Sequence, residues 1–213
     1  LGGPDPLDDH YLAEVQRFIT RVGSPWHSDH LCFASVEGSF LHDLLPLPFT
    51  REAVAHLVPR IEAARRQLDV PFALENVSYY AHPGDAEMDE GDFLTEVLTR
   101  TGAKLMFDVN NLYVNSRNHG FDPYETIARL PLDRVVQIHV AGHLVEPDGL
   151  RIDTHGEDVC RDVYELLEFT LRRTGPVPVL LERDQNFPTF ERLVEEIKTL
   201  DTIYQRATAP ERA

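Results

Sequence analysis

The sequence has no hydrophobic run near the roughly 18 to 20 residues that a membrane span requires. No N-terminal stretch has the charged, apolar and small-residue parts of a signal peptide. Cysteine is nearly missing: Cys32 and Cys160 are the two, and neither sits in a CxxC pair. They cannot build a disulfide framework, so a reducing, cytoplasmic setting is expected. Basic charge is scarce too. The 20 Lys and Arg stand against 36 Asp and Glu, a formal charge of −16, which argues against a protein that tracks nucleic-acid phosphates. GxGxxG, P-loop and GxSxG signatures are missing, which removes the common dinucleotide, nucleotide and serine-hydrolase readings. What remains is an ordinary globular composition over 213 residues, 42% hydrophobic and 26% charged, with 10 histidines as its unusual feature.

Short apolar runs alternate with longer helical stretches. Strands are expected at 29–33, 71–77, 104–109, 134–140 and 177–182, each too short for a helix and most of them apolar throughout. Helices are expected at 8–22, 50–68, 90–101, 123–130, 158–174 and 189–203, with Gly102 and Gly175 as natural stops. This alternation points to an α/β fold with a parallel sheet of right-handed βαβ units. No linker divides the chain, so one domain over 1–206 is expected, followed by a disordered tail from Ala207. The strand ends recur about every 38 residues, so an eight-stranded barrel at that pitch would need roughly 300 residues. The chain opens on Leu1-Gly2-Gly3-Pro4 without an initiator Met. It reads as a five-stranded open sheet or as the C-terminal five βα units of a TIM barrel.

Each expected strand ends on or beside a metal-ligand type of side chain. They are His30 after Asp29, Glu75 before Asn76, Asp108 before Asn110 and Asn111, His139 with His143 beyond it, and Glu182. In parallel α/β folds the strand C-termini converge on the face that carries the active site. Carboxylate, amide and imidazole donors suit iron, manganese or zinc, and no thiolate set competes with them. Asp153-Thr154-His155 adds a DxH pair, whose two side chains would share a face on extended backbone. One candidate group is Glu75, Asp108, His139 and Glu182; a second is Asn110, His143, Asp153 and His155. Taken singly, a strand-end acid is as often a helix N-cap, a lone strand histidine is more often a core residue, and Asn110-Asn111 reads as a turn. Five strand ends in five shift the balance toward metal. Cys32 reads as core and Cys160 as an early helix residue. His119 falls in an expected loop, and the acidic runs 85–92 and Glu195-Glu196 read as solvated faces.

At these residues the chain resembles the family of multinuclear iron-dependent oxidases with a xylose-isomerase-like TIM barrel (MbnB-like), which includes the oxidase of methanobactin biosynthesis. The motifs are Ser28-Asp29-His30-Leu31, Leu74-Glu75-Asn76-Val77, Phe107-Asp108-Val109-Asn110-Asn111, Asn118-His119-Gly120-Phe121, Gln137 to His143, Asp153-Thr154-His155-Gly156 and Leu181-Glu182-Arg183-Asp184. The resemblance implies that His30, Glu75, Asp108, His139 and Glu182 serve an iron pair, and that Asn110, His143, Asp153 and His155 hold a further iron. Asp184, Asn76, Asn111 and Arg183 would support those ligands from behind. It also implies a cysteine-containing substrate, a ribosomally made peptide oxidised with dioxygen, and a small partner protein that presents it. In the family, the Leu-Gly-Gly-Pro segment follows a strand with a further His ligand, so the first three strands of the barrel are expected to be missing here. An isolated piece of this kind would be of doubtful activity, and its exposed sheet edge would favour homo-oligomers. Two other readings stand beside this one: a redox-inert divalent-metal hydrolase or isomerase on the same barrel, and a non-catalytic metal- or peptide-binding fragment.

Overall fold

A computed structural model describes residues 1–209. Helix α1 (Asp9–Val22) leads to strand β1 (His27–His30), and a hairpin follows, β2 (Phe33–Val36) and β3 (Ser39–Leu45). Then come α2 (Arg51–Gln67), β4 (Phe72–Glu75), α3 (Glu90–Thr101), β5 (Lys104–Asp108), α4 (Val109–His119) and α5 (Pro123–Arg129). The chain continues through β6 (Val135–Val140), a small hairpin of β7 (Leu144–Val145) and β8 (Arg151–Ile152), α6 (Arg161–Thr174), β9 (Val179–Leu181) and α7 (Phe190–Thr208). The principal sheet has five strands in the order β1-β4-β5-β6-β9, and β1–β4, β4–β5 and β6–β9 pair in parallel. The expected α/β class with a parallel five-stranded sheet is thus observed. Among the described residues no helix is long and apolar enough to cross a membrane.

Two compact units are distinguished among the described residues: 1–106 with 129–134, and 107–128 with 135–209. In the first, β4 is buried along its whole length, and Val54, Leu57 and Ile61 of α2 are fully buried. The helix boundaries follow from side-chain caps. Thr50 and Asp89 accept from the amides of Ala53 and Asp92, satisfying N–H groups that a helix start leaves open. Asp89 and Asp92 also grip Arg129, at 2.7 and 2.9 Å. The acidic run at 85–92 is therefore structured in part, and Glu90 within it is buried. In the second unit, α4 and α6 cover β6, and Leu112, Val114, Val163 and Leu167 are fully buried with Ile138 and Val140.

Several expectations need correction. Residues 109–119 form a helix rather than a turn and loop, so His119 is the last residue of α4. Asp108 starts that helix by accepting from the Asn111 amide, and the surrounding burial overrides the weak helix propensity of its asparagines. The β2–β3 hairpin turns at Glu37-Gly38 with both φ values positive, a turn that sequence marks best when it reads Asn-Gly or Asp-Gly. Cys32 is buried, as expected, but lies just beyond β1. Cys160 is the N-cap residue of α6. Helix α7 runs on through Ala207 and Thr208, where the tail was expected to begin, and residues 210–213 of that tail lie outside the described residues.

Partial burial tends to raise the Asp89 carboxyl pKa, but the Asp92 amide and the Arg129 guanidinium outweigh it and hold the group below the usual carboxylate range. Asp89→Ala should cost about 1 kcal/mol near neutral pH, the ordinary value of an N-cap. A depressed pKa gives stability that is present above the unfolded-state value and lost as pH falls through the folded one. Denaturant unfolding of the two proteins should therefore converge in acid; a difference independent of pH would contradict this account.

Candidate metal centre

The second unit brings most of the expected ligands together. Asp108 ends β5 and is fully buried; its Oδ1 accepts from the Asn111 amide while Oδ2 lies 3.8 Å from His155 Nε2. His139 lies in β6, next to the last residue of that strand, with Nδ1 3.1 Å from Glu182 Oε2 just past β9. Asp108, His139 and Glu182 each present a ligand atom within 4.8 Å of the other two. A second grouping joins His155, Glu182 and Asp184 by the same measure. His155 Nδ1 is 3.4 Å from both Glu182 Oε2 and Asp184 Oδ2, so this ring links the two groupings.

The DxH pair meets, though not on extended backbone. His155 takes a left-handed φ of 46°, which turns its ring back so that Nε2 stands 2.8 Å from Asp153 Oδ1. Asp153 in turn accepts from Asn110 Nδ2 at 2.8 Å, and Asn110 Oδ1 lies 2.8 Å from His143 Nδ1. With the Asn110 amide so oriented, the hydrogen bond requires a proton on His143 Nδ1, which leaves Nε2 with its lone pair. Burial, aided by the Arg151 cation, pushes the His143 pKa down to about 4, so this imidazole is neutral at physiological pH. Asn110, His143, Asp153 and His155 thus form one connected chain. Asn110 Oδ1 has a second lone pair beside the one that faces His143.

In the first unit, His30 Nε2 lies 3.7 Å from Glu75 Oε2 at the ends of β1 and β4. Asn76, next to Glu75, is buried. Among the expected supporting residues, Asp184 donates its amide to the His155 carbonyl, and Arg183 donates to the Gly156 carbonyl at 2.8 Å. Two contributors carried no usable sequence signal. Glu196, expected on a solvated face, is 2% exposed. Gly142 lies between His139 and His143, and a Cβ there would stand 1.9 Å from the Glu157 carbonyl oxygen and 2.8 Å from that of Asp158.

Chemically, the centre has an excess of negative charge. Burial tends to lower the His155 pKa, but Asp153, Asp108 and Glu182 outweigh it and push it up to about 9. Both ring nitrogens of His155 are buried without a partner in hydrogen-bonding geometry, although carboxylates surround them. Buried carboxylates and imidazole nitrogens arranged this way could hold a divalent cation.

A family model for RiPP precursor modification enzymes, MbnB/TglH/ChrH, matches residues 1–205. The chain belongs to this family. A UPF0276 protein of Anaeromyxobacter sp. (strain Fw109-5) is 44% identical over 209 residues, 98% of this chain and 74% of that protein. Another, from Shewanella loihica, is 40% identical over 99% of this chain and 75% of its own length. Among solved structures, the crystal structure of AsfvAP:AG resembles this fold with a TM-score of 0.50 and 13% identity, over 91% of this chain and 67% of that one. The resemblance noted in the sequence is therefore to the right family, and precursor peptides are the class of substrate that the family description gives.

The close approach at Gly142 has a direct consequence. Gly142→Ala forces the 157–158 backbone away from the loop between His139 and His143, an overpacking cost of about 1–3 kcal/mol. Thermal unfolding should show the loss, and metal content should fall with it. An unchanged melting temperature would contradict the packing described.

Proposed function

We propose that the chain carries the metal centre of an iron-dependent oxidase that uses dioxygen to modify a cysteine in a ribosomally made peptide. The observation that carries this reading is the cluster of buried Asp108, His139 and His155 with half-buried Glu182, in a chain whose family modifies RiPP precursors. By the family resemblance, His30, Glu75, Asp108, His139 and Glu182 serve an iron pair, and Asn110, His143, Asp153 and His155 hold a further iron. The same resemblance assigns the five βα units to a xylose-isomerase-like barrel, and a small partner protein presents the peptide.

Bound iron would supply sites for the cysteine thiolate and the redox capacity that reduces dioxygen. The protein's own groups do the rest. Asp108, fully buried, holds its carboxylate in place through the Asn111 amide, so Oδ2 keeps a fixed direction. Asn110 sets the tautomer of His143 and leaves the Nε2 lone pair available as a donor. Asp184 and Asp153 flank the two nitrogens of His155, at 3.4 and 2.8 Å. Cys32 does not suit the role of reacting thiol: it is buried and its thiol is pushed up to about 12, by burial first and by the Asp29 charge next. The reacting sulfur in this reading belongs to the substrate.

The test is metal content and oxygen uptake. Protein purified without oxygen should contain two or three irons and consume dioxygen when given a cysteine-containing precursor peptide. Glu182→Ala, which removes the carboxylate beside both His139 and His155, should lose most of that iron. Zinc or manganese with no oxygen uptake would overturn the oxidase reading in favour of redox-inert chemistry. Unchanged iron in Glu182→Ala would remove that residue from the ligand set.

A further inference from the structure

The loops that hold His155, Glu182 and Asp184 have no regular structure of their own around these ligands, yet they are tied together at one buried point. The Arg183 side chain, only 7% exposed, sits between Glu182 and Asp184 in sequence. Its Nη1 donates to the Gly156 carbonyl at 2.8 Å, one residue beyond His155. Its Nη2 donates to Glu196 Oε2 at 2.9 Å and approaches Asp158 Oδ1 at 3.4 Å. Glu196 comes from α7, and its other oxygen, Oε1, accepts from the Val159 amide at 3.2 Å. One carboxylate therefore grips both the arginine of the 182–184 segment and the backbone of the 153–159 loop. Asp158 is held from its other oxygen by Arg192 of α7 at 2.7 Å.

The packing of this loop leaves no slack. Added carbon at Gly156 would lie 2.7 Å from Gln185 Cγ, and the 157–158 carbonyls press on Gly142. Three ligand-bearing segments thus touch where the ion pair closes. A buried ion pair of this kind is a poor choice for stability alone, because desolvation offsets much of its attraction and apolar residues of similar volume often do as well. Its distinctive property is direction. The planar guanidinium reaches Gly156 and Glu196 from the same fork, a geometry that lysine cannot reproduce.

We propose that Arg183 and Glu196 are positioning residues of the metal centre: their ion pair holds the His155 loop and the Glu182–Asp184 segment at the separation that metal binding needs. This rests on the metal-centre reading above and adds α7 to the elements that define it.

The test compares ferrous-iron affinity, measured anaerobically by chelator competition on the full chain, with thermal unfolding of the metal-free protein. Glu196→Gln keeps the side-chain shape and should weaken iron binding by about 10–100-fold, the usual effect of losing a group that orients a ligand. Arg183→Lys should do the same despite its retained charge. The double variant Arg183→Met with Glu196→Leu removes the buried charges together and should lose less stability than either of those changes alone, while its iron affinity stays low. Wild-type affinity in the double variant, or in Glu196→Gln, would overturn the positioning role and leave the metal centre standing. A wild-type chain that binds no iron, zinc or manganese would overturn the metal-centre reading and the clamp's role with it.

Discussion

Negative charge withdrawn from water is the condition around which the second unit is built. Asp108 is fully buried, Asp153 is mostly covered, Glu182 is half-buried, and all three face the same imidazole. A buried carboxylate without a compensating partner is costly, and several together compound the cost. In the isolated chain a proton on His155 supplies some compensation, which is why that group holds its proton to about pH 9. A divalent cation would supply more, and through more directions at once. The strand ends, the positive φ at His155 and the amide bridge of Asn110 all follow from bringing these donors to one place.

Loops usually tolerate variation, but the ones here are closely packed at Gly142, Gly156 and Arg183. Gly142 allows two backbones to approach within a distance that any side chain would prevent. Arg183 and Glu196 then lock the same region through α7, an element that contributes no ligand. The division of labour is common in metal sites: a few residues offer lone pairs, and others determine where those lone pairs point.

Much of the framework was legible in the sequence. Four of the five sheet strands lie within the expected apolar runs, β1 starts two residues earlier and ends at His30, and α3 has the expected bounds because Asp89 and Gly102 are clear caps. Helix α4 was missed because Asn110, Asn111, Asn115 and Asn118 read as turn formers, while its formation depends on burial and on the Asp108 cap. The β7–β8 hairpin carries a readable signal in Pro147-Asp148-Gly149, with the Gly149 amide bonded to the Glu146 carbonyl. The β2–β3 turn has no such strong marker. Glu196 was misjudged because a paired acidic sequence on a helix looks the same whether it faces water or a buried arginine.

By itself, the sequence determined the kinds of donor and their order: carboxylates and imidazoles at the ends of successive strands, since short continuous apolar runs and helix caps are local properties. It also carried the family, because the motifs around those donors are contiguous. Only the tertiary structure decided which donors meet. His155 reaches Asp108 and Glu182 through a left-handed backbone turn, and Glu196 reaches Arg183 across a helix and a loop. Those separations of some 13 to 47 residues are closed by packing and by the need to neutralise buried charge, neither of which has a spacing that can be read along the chain.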